Sequence, residues 1–168
     1  MATSKQYINP ESAITFADSA QTPTVTITLT ALQTVTGRVS AQYDRGASAR
    51  AAHFKWTFTT QLNGTNIVGA EVQLYIARGD GTAAGQIDGN VGTTDAALAS
   101  ANKVNNLQYL GSLIVDQTTT NTTMTVSGYC FIPSRYISLV VYNATTLPLT
   151  TSTSVHTFTL IPTPFEMQ

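Results

Sequence analysis

The stretch HFKWTFTTQLNGTNIVGAEVQLYIA, residues 53–77, decides the fold class. In HFKWTFT, residues 53–59, Phe54, Trp56 and Phe58 fall on one side of an extended chain and Lys55 and Thr57 on the other, because successive side chains of a strand point to opposite faces. VGAEVQLYIA, residues 68–77, repeats the alternation, with Ala70, Val72, Leu74 and Ile76 set against Glu71, Gln73 and Tyr75. The joining QLNGTN contains Asn63-Gly64, the dipeptide favoured in tight hairpin turns, so the expectation is two strands joined as a hairpin.

The same period of two recurs on both sides. TVTITLT (24–30) puts Val25, Ile27 and Leu29 on one face and threonines on the other, and RVSAQY (38–43) is a plausible further strand. LQYLGSLIV (107–115), MTVSGYCFI (124–132), YISLVVYN (136–143) and VHTFTLI (155–161) bring the total to eight, with short turn-rich links in the second half. Pro133-Ser134-Arg135 opens the third of these four, which is apolar enough to be a central core strand. Eight antiparallel strands without a convincing long helix predict an all-β, two-sheet sandwich, most simply a jelly roll. An immunoglobulin-like sandwich is the alternative, although its paired cysteines are absent.

Two segments break the pattern. Residues 1–22 are polar, carry the Asn9-Pro10 turn signal and lack sustained periodicity, so they read as an N-terminal arm preceding a domain over 23–168. Its apolar residues, Tyr7, Ile8, Ile14 and Phe16, are then candidate anchors for a neighbouring subunit. Residues 78–106 are rich in Gly, Ala, Asp and Asn and read as a long loop, within which TTDAALASANK favours a short helix capped by Thr94 or Asp95.

Composition narrows the function. Hydrophobic residues make up 42% of 168, enough for a core, but charged residues only 10%, against about 25% in an ordinary globular chain. Threonine is the commonest residue, and neutral hydroxyls and amides must cover the surface. A net charge of −1 provides no field for capturing nucleic acid or an anionic membrane, so neither partner is expected. A surface with so little charge resists self-association weakly, which fits an assembly component covered by specific neighbours. The beginning MATSKQYINPESAITFADSA lacks the pattern of a secretory signal, and no segment reaches the ~20 apolar residues of a membrane-spanning helix; the expectation is a protein made in a cytoplasm.

No catalytic set can be filled from the chain. His53 and His156 have no metal-ligand spacing and no serine-glycine elbow near them, and no pair of carboxylates is spaced for acid–base work. No cofactor or metal is therefore expected as a resident, although Asp80, Asp88 and Asp95, with Asn90, are the oxygen ligands a calcium ion would want. Arg78-Gly79-Asp80 is an adhesion tripeptide if displayed and otherwise ordinary turn chemistry. Asn63, Asn121 and Asn143 match the glycosylation pattern, as a threonine-rich chain does by chance. Cys130, the single cysteine, reads as a small hydrophobe. Arg45 and Arg50, on a loop of small residues, are candidates for pairing with carboxylates of a neighbouring subunit.

LQYLGSLIVD (107–116), GYCFIPSRYISLVVYNATTLPL (128–149), HTFTLIPT (156–163) and the strand-to-loop AEVQLYIARGDGT (70–82) together resemble the small β-rich virion proteins of tailed bacteriophages. The likeness covers about the last 100 residues and rests on strand pattern and composition. It implies a non-enzymatic decoration or cement protein located in the virion capsid, assembled in the host cytoplasm and bound to the major capsid protein. The charge-poor surface adds the expectation of a homo-oligomer, most simply a trimer. A tail or neck component of the same virion, and a receptor- or carbohydrate-binding module with Tyr75, Tyr109 or Tyr142 stacking on a sugar, are the alternatives.

Overall fold

The computed structural model describes residues 6–7, 11–47, 51–163 and 166–167. Eight principal strands carry the fold: β1 (Ile14–Ala17), β2 (Thr36–Val39), β3 (His53–Gln61), β4 (Glu71–Gly79), β5 (Gln108–Ile114), β6 (Thr123–Phe131), β7 (Tyr136–Asn143) and β8 (Thr157–Pro162). They form two sheets. The first runs β6-β3-β8-β1, extended by Val25–Thr26 parallel to β1. The second runs β2-β7-β4-β5, with Ala96–Ala97 beyond β2 and Tyr43–Asp44 also paired to β7. All pairings between principal strands are antiparallel, and the chain is an all-β sandwich.

Alternation explains the core. Phe54, Trp56 and Phe58 of β3, Phe158 and Leu160 of β8 and Ile14 and Phe16 of β1 face Val72, Leu74 and Ile76 of β4 and Ile137, Leu139 and Val141 of β7, all buried in one cluster. Trp56 has a particular seat: a Cβ on Gly128, its cross-strand partner, would lie 2.6 Å from the indole, and one on Gly111 of β5 would lie 3.1 Å from it. These two mid-strand glycines make room for the largest side chain of the core.

Three expectations need correction. The segment 53–77 is not a hairpin, since β3 and β4 lie in different sheets and residues 62–70 cross between them. Leu62 is buried and bridges to Leu149, Asn63 N–H donates to Pro148 O (2.9 Å), and Gly64 N–H donates to Asn121 Oδ1 (3.0 Å). The Asn-Gly turn is thus stitched to two other loops rather than closed on itself. Nor does the described end of the expected arm stand apart: β1 pairs with β8, and its Ile14 and Phe16 are 1% and 0% exposed within this chain's own core, so they cannot anchor a neighbour. Of the other two proposed anchors, Tyr7 has its backbone paired with Glu166, and Ile8 lies outside the described residues.

Residues 80–106 contain no α-helix. They fold back against the second sheet, Ile87 bridging to Gly79 beside the buried Tyr136 and Leu98 packing near Gly37 of β2. Gln42 holds both legs of this excursion, its Nε2 donating to Gly81 O (3.0 Å) and its N–H to Thr93 O (3.0 Å). Ala96–Ala97 pairs with β2, and residues 101–106 form a 3-10 turn behind Ser100, whose Oγ accepts from Asn102 N–H. The helix expected over 93–103 loses to this edge pairing, because a helix of that length is marginal alone.

Candidate functional site

The charged residues, few as they are, are mostly spent on joining loops. The Arg45 side chain is fully buried, and its fork chelates Glu11 through Nε to Oε1 and Nη2 to Oε2, both 2.8 Å. Nη1 donates to Ile132 O and Ser134 O (2.7 Å each), Nη2 also reaches Ala51 O, and the guanidinium lies 4.8 Å over the Phe54 ring. A buried guanidinium persists only when its donors are satisfied in this way. Arg45 is therefore an internal clamp between the start of β1 and the loops before β3 and β7, not a group available to a neighbour. Arg50 lies outside the described residues.

The loop acids are dispersed in the same manner. Asp95 accepts from Arg38 Nε (2.6 Å), Thr28 Oγ1 (2.6 Å) and Thr28 N–H, while Asp88 pairs with Arg78 (3.1 Å). Burial works against the Asp95 charge, but the hydrogen bonds from Arg38 and Thr28 outweigh it and hold the carboxyl below its ordinary value. Asp80, Asp88 and Asp95 do not converge, and among the described residues no group of three metal-ligating side chains is found. Gly79 is buried at the end of β4, so Arg78-Gly79-Asp80 runs out of a strand instead of crowning a loop. An open cleft of about 570 Å³ beside it is lined by Arg78, Asp80, Gln86, Asp88, Ser134 and Arg135, with Arg135 held bidentately by Asp44 at 2.7 Å.

The remaining singled-out residues are structural. His156 is buried; its Nε2 lies 3.0 Å from Thr150 O, which can only accept, so Nδ1 accepts from the Thr60 hydroxyl at 2.7 Å. Burial lowers its pKa and keeps it neutral. His53 stacks edge-on with Phe131. Burial pushes the Cys130 thiol up to about 11, against the pull of Arg45, which leaves it protonated and unreactive at neutral pH. Asn143 is buried and its amide donates to Leu32 O, Gln33 O and Leu147 O, so it staples two loops and cannot present itself for modification.

What the sandwich offers to other molecules is its two outer faces. On the first sheet, cross-strand rows place Thr125, Thr59 and Thr157 side by side, then Ser127, Thr57 and Thr159, giving a face of neutral hydroxyls. At one end of it the row Tyr129, Lys55, Ile161 and the adjacent Phe131 stand clear of the surface, Tyr129 at 75%, Phe131 at 50% and Ile161 at 42% exposure. Tyr129 and Phe131 stand at the solvent-side positions of MTVSGYCFI, where a strand with one wet face would carry polar residues.

On the second sheet, the three tyrosines singled out in the sequence come together. Tyr75 and Tyr109 pair across β4 and β5 with ring centroids 5.3 Å apart, and Tyr142 lies beside them opposite Gln73. Tyr75 OH donates to Gln73 Oε1 (2.9 Å), Gln73 Nε2 donates to Glu71 Oε1 (2.5 Å), Ser112 Oγ donates to Glu71 Oε2 (2.8 Å), and Tyr109 OH sits 2.5 Å from Ser112 Oγ. Burial, then the neighbouring Tyr109, Glu71 and Tyr142, raise the Tyr75 pKa, so its hydroxyl remains a donor. The sequence names the three tyrosines but not their juxtaposition, which depends on a β-bulge: Leu74 pairs with Gly111 but Tyr75 with Tyr109. The skipped residue, Leu110, shifts the alternation of β5 and brings Tyr109 to the outer face with Ser112.

No protein-family model matches this chain, and no curated protein sequence matches it significantly.

Proposed function

We propose that the protein is a non-enzymatic structural subunit of a tailed-phage virion, a decoration or cement protein that attaches to the major capsid protein through the outer face of its first sheet. The observation that carries this reading is the exposed cluster Tyr129, Phe131 and Ile161 at the edge of an otherwise neutral hydroxyl face. Exposed apolar groups gathered at one end of a sheet face mark an interaction surface, and a face on which Lys55 is the one cation among the described residues suits a partner met by shape, apolar burial and neutral hydrogen bonds. The winding is in keeping with it: strand order 6-3-8-1 facing 2-7-4-5 is what a jelly roll requires, the architecture of many shell proteins. The subunit acts as a homo-oligomer, with a trimer as the expected form, because a stable contact needs about 1,200–2,000 Å² of buried surface and one small face supplies part of it.

The test is attachment. The double variant Tyr129→Ser with Phe131→Ser, changed only at outward positions, should keep the wild-type unfolding temperature and lose binding to heads that lack the protein. Binding equal to wild type would remove the assigned face. Copy number per particle by gel densitometry then separates shell from neck or tail, since a shell decoration is present in many copies and a neck or tail component in few.

A further inference from the structure

We infer that the tyrosine platform on the second sheet, on the opposite side of the sandwich from the apolar face, is a binding site for a neutral saccharide. The platform combines the two things a sugar ring needs. Tyr109 presents an exposed ring (54%), with Tyr75 against it and Tyr142 farther along the same face on β7, against which the C–H face of a pyranose can stack. Around the rings stand a carboxylate, an amide and a hydroxyl, Glu71, Gln73 and Ser112, already linked to one another and to the phenols in a continuous hydrogen-bonded chain. Such a chain can exchange its internal partners for sugar hydroxyls without leaving a polar group unpaired.

Charge selects among ligands. Glu71 has no cationic partner among the described residues, its two oxygens accepting only from the neutral Gln73 and Ser112. A lone carboxylate accepts from hydroxyl donors and repels anions, so acidic sugars are excluded and neutral ones favoured. The bulge between Leu74 and Tyr75 supports the reading independently, because regular pairing would turn Tyr109 toward the core and leave the platform without its exposed ring. Bulges recur where a side chain must be re-aimed next to a binding site.

The inference does not rest on the particle-binding proposal, and its test uses the free protein. Purified protein is passed over an array of neutral glucose-, galactose- and mannose-based oligosaccharides with sialylated ones and choline alongside, and hits are measured by saturation-transfer NMR. The expected result is binding of at least one neutral oligosaccharide, weakened about tenfold or more by Tyr109→Ala and by Glu71→Gln, with Thr118→Ala in an exposed loop unchanged. Thermal unfolding of each variant verifies folding, and Tyr109→Phe, which keeps the ring, should retain most of the affinity. Absence of binding to every neutral oligosaccharide at millimolar concentration, preference for sialylated sugars or choline, or equal binding by Tyr109→Ala would each overturn the inference.

Discussion

Trp56 shows how much a single position can hold. It is 3% exposed, stacks with Phe158 at 6.1 Å and fills the space left by Gly111 and Gly128. Trp56→Ala should cost about 3–5 kcal/mol, and Gly128→Ala about 1–3 kcal/mol because its methyl would meet the indole, both measurable by urea denaturation. The aromatic alternation was legible in HFKWTFT, but the two glycines were not, since nothing local says which side chain a bare backbone must admit. Arg45 carries a comparable load. Arg45→Ala leaves Glu11 without its cation and three carbonyls without donors, and a loss of about 3–5 kcal/mol is expected. His156 makes the fold sensitive to acid. Its folded pKa lies below 6.5, so the unfolded chain binds the extra proton first, and stability should fall as pH drops below about 6.5. In His156→Gln that part of the pH dependence should disappear from thermal unfolding curves, while a decline below 3.8 that includes the release of Asp95 should remain.

At the scale of elements, success and failure in reading the sequence divide by how far a strand's pairing depends on distant residues. YISLVVYN gave β7 with its observed bounds, because a central strand is apolar on both faces and needs no other clue. TVTITLT gave the right buried face, Val25, Ile27 and Leu29, yet only Val25–Thr26 is laddered; Thr28 N–H turns instead to the Asp95 carboxylate. The four-residue β1 was hidden inside a polar stretch because its core membership depends on β8 and on a clamp with Arg45. Removal of residues 1–22 should therefore abolish cooperative unfolding, where a detachable arm would leave a folded domain with an unchanged transition. The tyrosine platform was legible in part: Glu71, Gln73 and Tyr75 alternate along one strand, while the bulge that delivers Tyr109 has no local signature.

For the whole molecule, a sandwich whose first sheet carries an apolar cluster at one end of a hydroxyl face and whose second sheet carries a tyrosine platform has two proposed directions of contact. We propose that the first of these attaches the protein to a shell by neutral, apolar complementarity. Coulombic attachment would weaken steeply as salt shortens the screening length from about 30 Å at 0.01 M to about 3 Å at 1 M, whereas apolar burial would not. The most direct measurement is re-addition of the purified protein to heads lacking it, at low and at high ionic strength, with bound protein and survival of the heads under heat as readouts. Equal binding at both ionic strengths is expected, with heads that survive to higher temperature. Binding that collapses in salt, or bound protein that leaves the heads as heat-labile as before, would contradict it.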